Sequence, residues 1–383
     1  MRHDLVRGTM RGMAALLNDH EITERVLSHI ANRSTDSGDE LWREPVENYR
    51  SQQRFQAEIE KVLRRSFAAF CPSAALPEPG AFIAREAAGT PIVVVRGRDG
   101  VVRAFHNVCR HRGMRIAADS GCANAFVCPY HGWTYELDGR LRHVPHAEGF
   151  PGLDKQDHGL VPLRAVESHG MVFVSQAPTG APAPLAGLPE LIGKDQRLYA
   201  SSARVTEANW KIVLEGFLEG YHIRVTHPET FFPYGFDNLN VIEHVGPHSR
   251  VTYPFRRIEK LAAVPPAERR VMGFVTFVYH IFPNALITML SNHTNLLVLE
   301  PLSVDRTNVV AYSLTNWTGD PAEALEAATR DANFTEIGAS EDRAIVSAIQ
   351  RGVPSNANES FVFGRYESAI VHFHRSLGAA LAQ

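Results

Sequence analysis

The spacing of hydrophobic positions changes several times along the chain. Residues 1–33 have the look of helix, and 34–48, "STDSGDELWREPVEN", is polar, so the first 48 residues are expected to form a peripheral helical arm and connector. From residue 90, "TPIVVVRGRDGVVRAFHNVC" begins a series of short β-branched runs, broken by "GRDG", "LDGR" and "HAEGFPG". Runs of that length with Gly-rich breaks predict hairpins in a small antiparallel domain. "MVFVS" closes the series, and "QAPTGAPAPLAGLPE" after it is a Pro/Gly-rich joint where few contacts should cross. Both periods then mix: a helix over 209–226, strands such as "VTFVYHIF", "NALITML", "TNLLVLEP" and "NVVAYSLTNW", then helices over 321–350 and near the C-terminus. The class is α+β, with a small all-β domain followed by an antiparallel sheet wrapped on helices. The expected divisions are 1–48, 49–178 and 179–383.

Composition narrows the partners. With 383 residues, 44% hydrophobic, 21% charged and a formal charge of -3, the chain gives no electrostatic case for nucleic acid. No apolar run is long enough to span a membrane, and the N-terminal residues scatter charges among apolar positions instead of forming a signal peptide, so a cytoplasmic protein is expected. Four cysteines are too few for a disulfide framework in so long a chain. Cys71 and Cys122 read as buried small hydrophobes. The other two lie in motifs.

"CRHRG" begins at Cys109 and "CPYHGW" at Cys128. Each stretch gives one Cys and one His: Cys109 and His111, then, after 16 residues, Cys128 and His131. A structural zinc site also takes four such ligands, but its usual fingers pair two cysteines and then two histidines. One of each per loop suits a cluster whose two irons are ligated unequally, one by thiolates and one by imidazoles. That is the ligand set of a Rieske two-iron two-sulfur centre, which passes one electron at a time. Gly113 and Gly132 fit tight turns that bring backbone N–H groups towards the sulfurs.

A second constellation lies in "NWKIVLEGFLEGYHIRVTHP", residues 209–228. On one continuous helix Trp210, Val213, Leu214, Phe217 and Tyr221 form an apolar stripe, and Glu215, Glu219 and His222 line up beside it. Pro228 should end the helix at His227 and free that side chain to swing back beside His222. A third ligand would be needed, and "ASEDRAIVSAIQRG" offers Asp342, on a stripe with Ile345, Val346 and Ile349. An acid favoured by the helix dipole would explain Asp342 and Glu341 equally well.

With these motifs the sequence resembles the Rieske-type non-haem iron oxygenases: the large (alpha) subunits of aromatic-ring-hydroxylating systems and related demethylating monooxygenases. The likeness runs from about residue 48 to the C-terminus. It implies a helix-grip catalytic domain, a [2Fe-2S] cluster on Cys109, His111, Cys128 and His131, and Fe(II) on His222, His227 and Asp342. Glu219 falls where the family has an acidic residue bridging the two metal sites, and is the implied catalytic residue. Two positions depart from the common pattern: Gly216, where the family often has Asn, and Glu219, where most ring dioxygenases have Asp. Glutamate there favours monooxygenation or demethylation over cis-dihydroxylation. The chain has no GxGxxG after a strand, so NAD(P)H should be oxidised on a separate reductase, feeding electrons directly or through a ferredoxin. The resemblance further implies O2 and a small organic substrate, and a head-to-tail homotrimer in which one subunit's cluster serves the next subunit's iron. The rival from another class is an electron carrier or zinc-organised binding module. Phe277, His280, Phe282, Leu286 and Met289 are candidates to line a pocket, and Trp317 is the one tryptophan left over for an aromatic cage.

Overall fold

In the computed structural model, described over residues 16–179, 185, 187–316 and 319–383, two seven-stranded antiparallel sheets share one apolar core. The first sheet runs, in spatial order, Ala68–Pro72, Met171–Ser175, Pro162–Ser168, Val102–His106, Thr90–Arg96, Ala81–Ala87 and Ser120–Cys122. Its unbroken run "IVVV" has both faces covered. Ile92 and Val94 enter the core shared with the second sheet, whereas Val93 and Val95 pack under the Cys/His loops with Trp133 and Tyr135.

The second sheet runs Gln196–Thr206, Arg306–Asn316, His293–Ser303, Ala285–Leu290, Val275–Ile281, His248–Pro254 and Val241–Val245. The same period-two logic applies. Phe277, Tyr279, Val298 and Tyr312 face the first sheet, while Val278, Leu297 and Val309 face the helices. Across that helical face lies one long helix, Pro321–Gly352, started by the Asp320 side chain accepting from the backbone N–H of Ala322 and Glu323. The C-terminal helix Ser368–Leu381 covers the rest with Ile370, Phe373 and Leu377.

Several expectations change. The arm is not peripheral: Ile22 and Val26 of the helix Asp19–Asn32 are buried in the shared core, and Trp42–Pro45 pairs with Ser360–Phe363. The stretch 209–226 is not one helix. Trp210–Glu215 is helical, the chain then turns through Leu218 and Gly220, and Ile223–Thr226 is a second short helix. Tyr221 consequently leaves the apolar stripe and is exposed, while Glu215 is buried against Tyr49 and His374. Cys71 is buried, but Cys122 is exposed because Ser120–Cys122 is an edge strand. Residues 1–15, residues 180–184 and 186 of the Pro/Gly joint, and Trp317 lie outside the described residues.

Candidate active site

The two Cys/His loops are built alike. Gly113 N–H donates to Cys109 O at 2.9 Å and Gly132 N–H to Cys128 O at 3.0 Å, and both glycines have φ above +70°, where a side chain would be strained. Cys109 and Cys128 are buried, His111 is half-buried and His131 is exposed. The thiols thus lie inside and the imidazoles outside, with ring centroids 4.7 Å apart. Trp133 stacks on His111 at 5.0 Å, and the Tyr135 hydroxyl lies 3.2 Å from Cys109 Sγ. Burial pushes the Cys128 thiol up, against the pull of N–H groups from Tyr130 and His131. Two unbonded buried thiols with two imidazoles on adjacent tight turns fit an unequally ligated cluster.

The second set converges from three segments. His222 stands at the start of the second short helix, His227 just past its end with φ −120° and ψ 47°, and Asp342 on the long helix. Their donor atoms lie within 4.8 Å of one another. Asp342 Oδ1 is 2.9 Å from His227 Nε2 and 3.7 Å from His222 Nε2. His227 is fully buried, yet its Nε2 makes no hydrogen bond of acceptable geometry. A buried orphan nitrogen facing a carboxylate and a second imidazole fits a divalent metal with an open face, since two-His-one-carboxylate sets suit Fe(II).

Each histidine has its other nitrogen fixed. Glu219 Oε1 meets His222 Nδ1, and Glu341 Oε2 lies 2.6 Å from His227 Nδ1 while accepting from the Thr230 hydroxyl at 2.7 Å. Carboxylates in that position set the tautomer and aim Nε2 at a metal. Burial alone would lower both imidazoles, but Glu219 beside His222, and Asp342 with Glu341 beside His227, outweigh it and hold both above the ordinary value. Three acids around two imidazoles make a site for a cation. Glu219 keeps no oxygen free, since Oε2 accepts from the backbone N–H of Tyr221 and His222.

Asp342, His222 and His227 border a cavity of about 410 Å³ between the sheet and the long helix. Phe217, Phe231, Phe334, Val278 and Leu297 form much of its wall. Of the five strand residues expected there, none lines it: Phe277 and Met289 point to the other face, and Phe282, Leu286 and His280 lie with the apolar set around the C-terminal helix. Ile345 and Ile349, expected to point inward with Asp342, are exposed, and Val346 alone keeps its place. Sequence reasoning missed Phe231, whose ring lies 4.7 Å from His227 and against the backbone at Gly338. A glycine in mid-helix was the available signal. No hydrogen bond or ring contact among the described residues joins the two constellations.

Comparison with known proteins bears on both halves. Residues 66–160 match the Rieske [2Fe-2S] domain, and residues 194–383 match the ring hydroxylating alpha subunit catalytic domain. The chain belongs to the Rieske oxygenase family. As such it carries the domain of a two-iron two-sulfur cluster and that of a mononuclear iron. It is 37% identical over 202 residues to the carnitine monooxygenase oxygenase subunit of Acinetobacter baumannii, covering 50% of this chain and 54% of that protein. To the glycine betaine monooxygenase oxygenase subunit of Chromohalobacter salexigens it is 36% identical over 192 residues, 48% of this chain and 43% of the other. The match therefore spans about half the length of these relatives. Among solved structures, the chain is similar to the quaternary ammonium Rieske monooxygenase CntA in complex with L-carnitine. The TM-score is 0.74 at 26% identity, over 89% of this chain and 96% of that one. Among the described residues, no helix is long and apolar enough to cross a membrane.

Proposed function

We propose that this chain is the terminal oxygenase of a multicomponent system that hydroxylates or oxidatively demethylates a small organic substrate, as a monooxygenase. The observation that carries the reading is the convergence of His222, His227 and Asp342 on the wall of one apolar cavity, in a chain that also brings Cys109, His111, Cys128 and His131 together. On this reading Cys109, His111, Cys128 and His131 are the cluster ligands and His222, His227 and Asp342 the iron ligands. The iron would supply an open coordination face for O2, and the cluster single electrons.

The chain's own residues do the rest. Glu219 and Glu341 hold the two imidazoles by Nδ1, while Val213, Phe217 and Val346 keep water from the cavity around Asp342. Electrons come from NAD(P)H through a separate reductase, directly or by way of a ferredoxin. Glu219 links the sites across a head-to-tail homotrimer, in which His131 of one copy approaches the Glu219–His222 pair of the next. Exposed Tyr130 beside His131, and exposed Tyr221 and Val225 flanking His222, are apolar margins that such a contact would cover. The division at residue 178 follows the two functional halves, and four unpaired cysteines accord with a cytoplasmic location. Kinship with carnitine and glycine betaine monooxygenase subunits supports insertion of one oxygen atom.

The test is metal analysis joined to product analysis. About three irons per chain and an NADH-dependent hydroxylated or demethylated product, formed with a surrogate reductase, are expected. Zinc, or two irons alone, would assign the chain to electron transfer or binding, and a cis-dihydrodiol would overturn monooxygenation.

A further inference from the structure

The cavity has a second polar pole far from the metal trio. We propose that His293 and Asn295 form a subsite for a neutral hydroxyl-type group at the end of the substrate remote from the oxidised carbon. The inference rests on this cavity being the substrate site of the proposed oxygenase.

His293 and Asn295 are two apart on the strand His293–Ser303 and so point to the same side, into the cavity. His293 is only 3% exposed. Its Nδ1 lies 2.9 Å from the Tyr199 hydroxyl, which fixes the ring, and its Nε2 has no protein partner among the described residues. Burial lowers this imidazole to about 4, so it is neutral at physiological pH. Asn295 Oδ1 is buried without a partner. A buried polar atom is normally satisfied, and Asn295 Oδ1, left open beside the unpartnered Nε2 of His293 on one cavity wall, is what a ligand would complete.

Charge elsewhere in the cavity restricts what can bind here. Of its acids, Glu219 and Asp342 belong to the metal pole, and Glu336 is engaged by Arg343 at 2.7 Å and Arg204 at 3.8 Å. Asp331, the acid that acts on His293, is held by Asn292. Among the described lining residues no unpaired charge is therefore left for the far pole, and a hydroxyl, which can donate and accept, suits either tautomer of His293.

The length follows from the long helix. Asn292 N–H donates to Asp331 at 2.9 Å, so the strand starts level with a residue eleven positions before Asp342. At about 1.5 Å per residue that separation is roughly 16 Å. Allowing about 3 Å for a hydrogen bond at the polar end and a similar clearance at the metal pole, roughly 10 Å is left between the reactive and polar ends of the substrate. The wall between the poles is apolar, with Leu297, Phe231 and Phe334.

The test uses a matched pair of that length, 4'-methoxybiphenyl-4-ol and 4-methoxybiphenyl. Both are titrated calorimetrically into the anaerobic holoenzyme without reductase. The hydroxylated probe should bind at least tenfold more tightly to the parent protein. In His293→Leu the two should bind within about twofold of each other, with 4-methoxybiphenyl unaffected. Should His293→Leu fail to fold, the near-isosteric Asn295→Leu must lower the same preference. Equal affinity of the two probes for the parent, a preference that survives both substitutions, or no binding of either probe overturns the inference. Because no turnover is involved, the outcomes separate. A preference without product from any substrate counts against the oxygenase alone, and product without the preference counts against the subsite alone.

Discussion

Gly338 is where the cavity wall meets the long helix, and Gly338→Ala tests whether that contact holds the site together. A Cβ there would lie 2.0 Å and 2.2 Å from Cζ and Cε2 of the Phe231 ring. Ordinary carbon contacts are near 3.5 Å, so the ring must move by more than about 1 Å. It has little room, with His227 at 4.7 Å and Phe334 at 5.2 Å between centroids. In an open position alanine would gain about 1 kcal/mol of helix propensity, whereas overpacking costs about 1–3 kcal/mol. The expected net is a loss of about 1 kcal/mol, seen as a lower unfolding midpoint of the metal-free protein. A second effect follows from Glu341, which holds both His227 and Thr230. Shifting Phe231 pulls on that segment and misaims His227 Nε2, so mononuclear iron should be depleted after dialysis while the cluster absorption stays intact. Adding Phe231→Leu, which removes the outer ring atoms, should restore both. A Gly338→Ala protein that is more stable and keeps full iron would refute the argument.

Cys109→Ser or His131→Ala should abolish the cluster's visible absorption and leave mononuclear iron bound, because the two constellations stand on separate elements, one on two turns and the other on helices; loss of all iron would contradict that. Asp342→Ala should empty the mononuclear site with the cluster spectrum preserved, whereas Glu341→Gln should weaken iron binding by roughly 10–100-fold, as for other orienting partners. If Asp342→Ala keeps iron and turnover, Asp342 is not a ligand. Glu219→Gln, which loosens the hold on His222, should need excess iron to fill the mononuclear site, and with both metals loaded a pre-reduced cluster should stay reduced in the presence of substrate and O2. Turnover within tenfold of the parent, under about 1.4 kcal/mol of barrier, would show that Glu219 is no bridge. Burial holds His280 down to about 3 and His244 to about 4. Their folded values lie below the unfolded value of about 6.5, so the unfolded chain binds more protons and stability falls from pH 6.5 towards 4, by about 1.4 kcal/mol per pH unit for each group. A denaturant midpoint that stays flat over that range would contradict the burial of these rings.

The parts legible in the sequence were those fixed by local chemistry. The Cys/His loops announce themselves because four candidate ligands and the turn glycines Gly113 and Gly132 fall within 25 residues, 109–133, and each turn closes on its own backbone. His227 was legible because Pro228 bars the helix from continuing. What failed depended on tertiary contacts. Strand residues Phe277 and Val278 are both apolar, and only packing decides that the second faces the cavity. Ile345 and Val346 are both plausible inward residues on the long helix, but that helix lies across an open sheet face and buries a narrow stripe, which takes Val346 and leaves Ile345 in solvent. The arm looked peripheral because its polar residues outnumber its apolar ones; the few that matter, Ile22 and Val26, are completely buried.

The broken helix at 216–222 shows why departure from a regular element can serve a site. On a continuous helix Glu219 and His222 would be neighbours one turn apart, and the carboxylate would meet the imidazole from the side only. At Gly220 the chain instead passes so close to Asn240 that a Cβ would lie 2.6 Å from its Oδ1. The tight turn folds the N–H groups of Tyr221 and His222 back onto Glu219 Oε2 while Oε1 meets His222 Nδ1. One carboxylate thereby satisfies the free donors that open the next short helix and aims the histidine that follows. The carboxylate of Glu219 is held in place by three contacts within its own chain before any partner arrives. A glutamine cannot reproduce that, because its NH2 would face either the backbone N–H groups or the imidazole. Gly220, which looks like a defect in a helix, is therefore the reason the carboxylate can act on His222 from two directions.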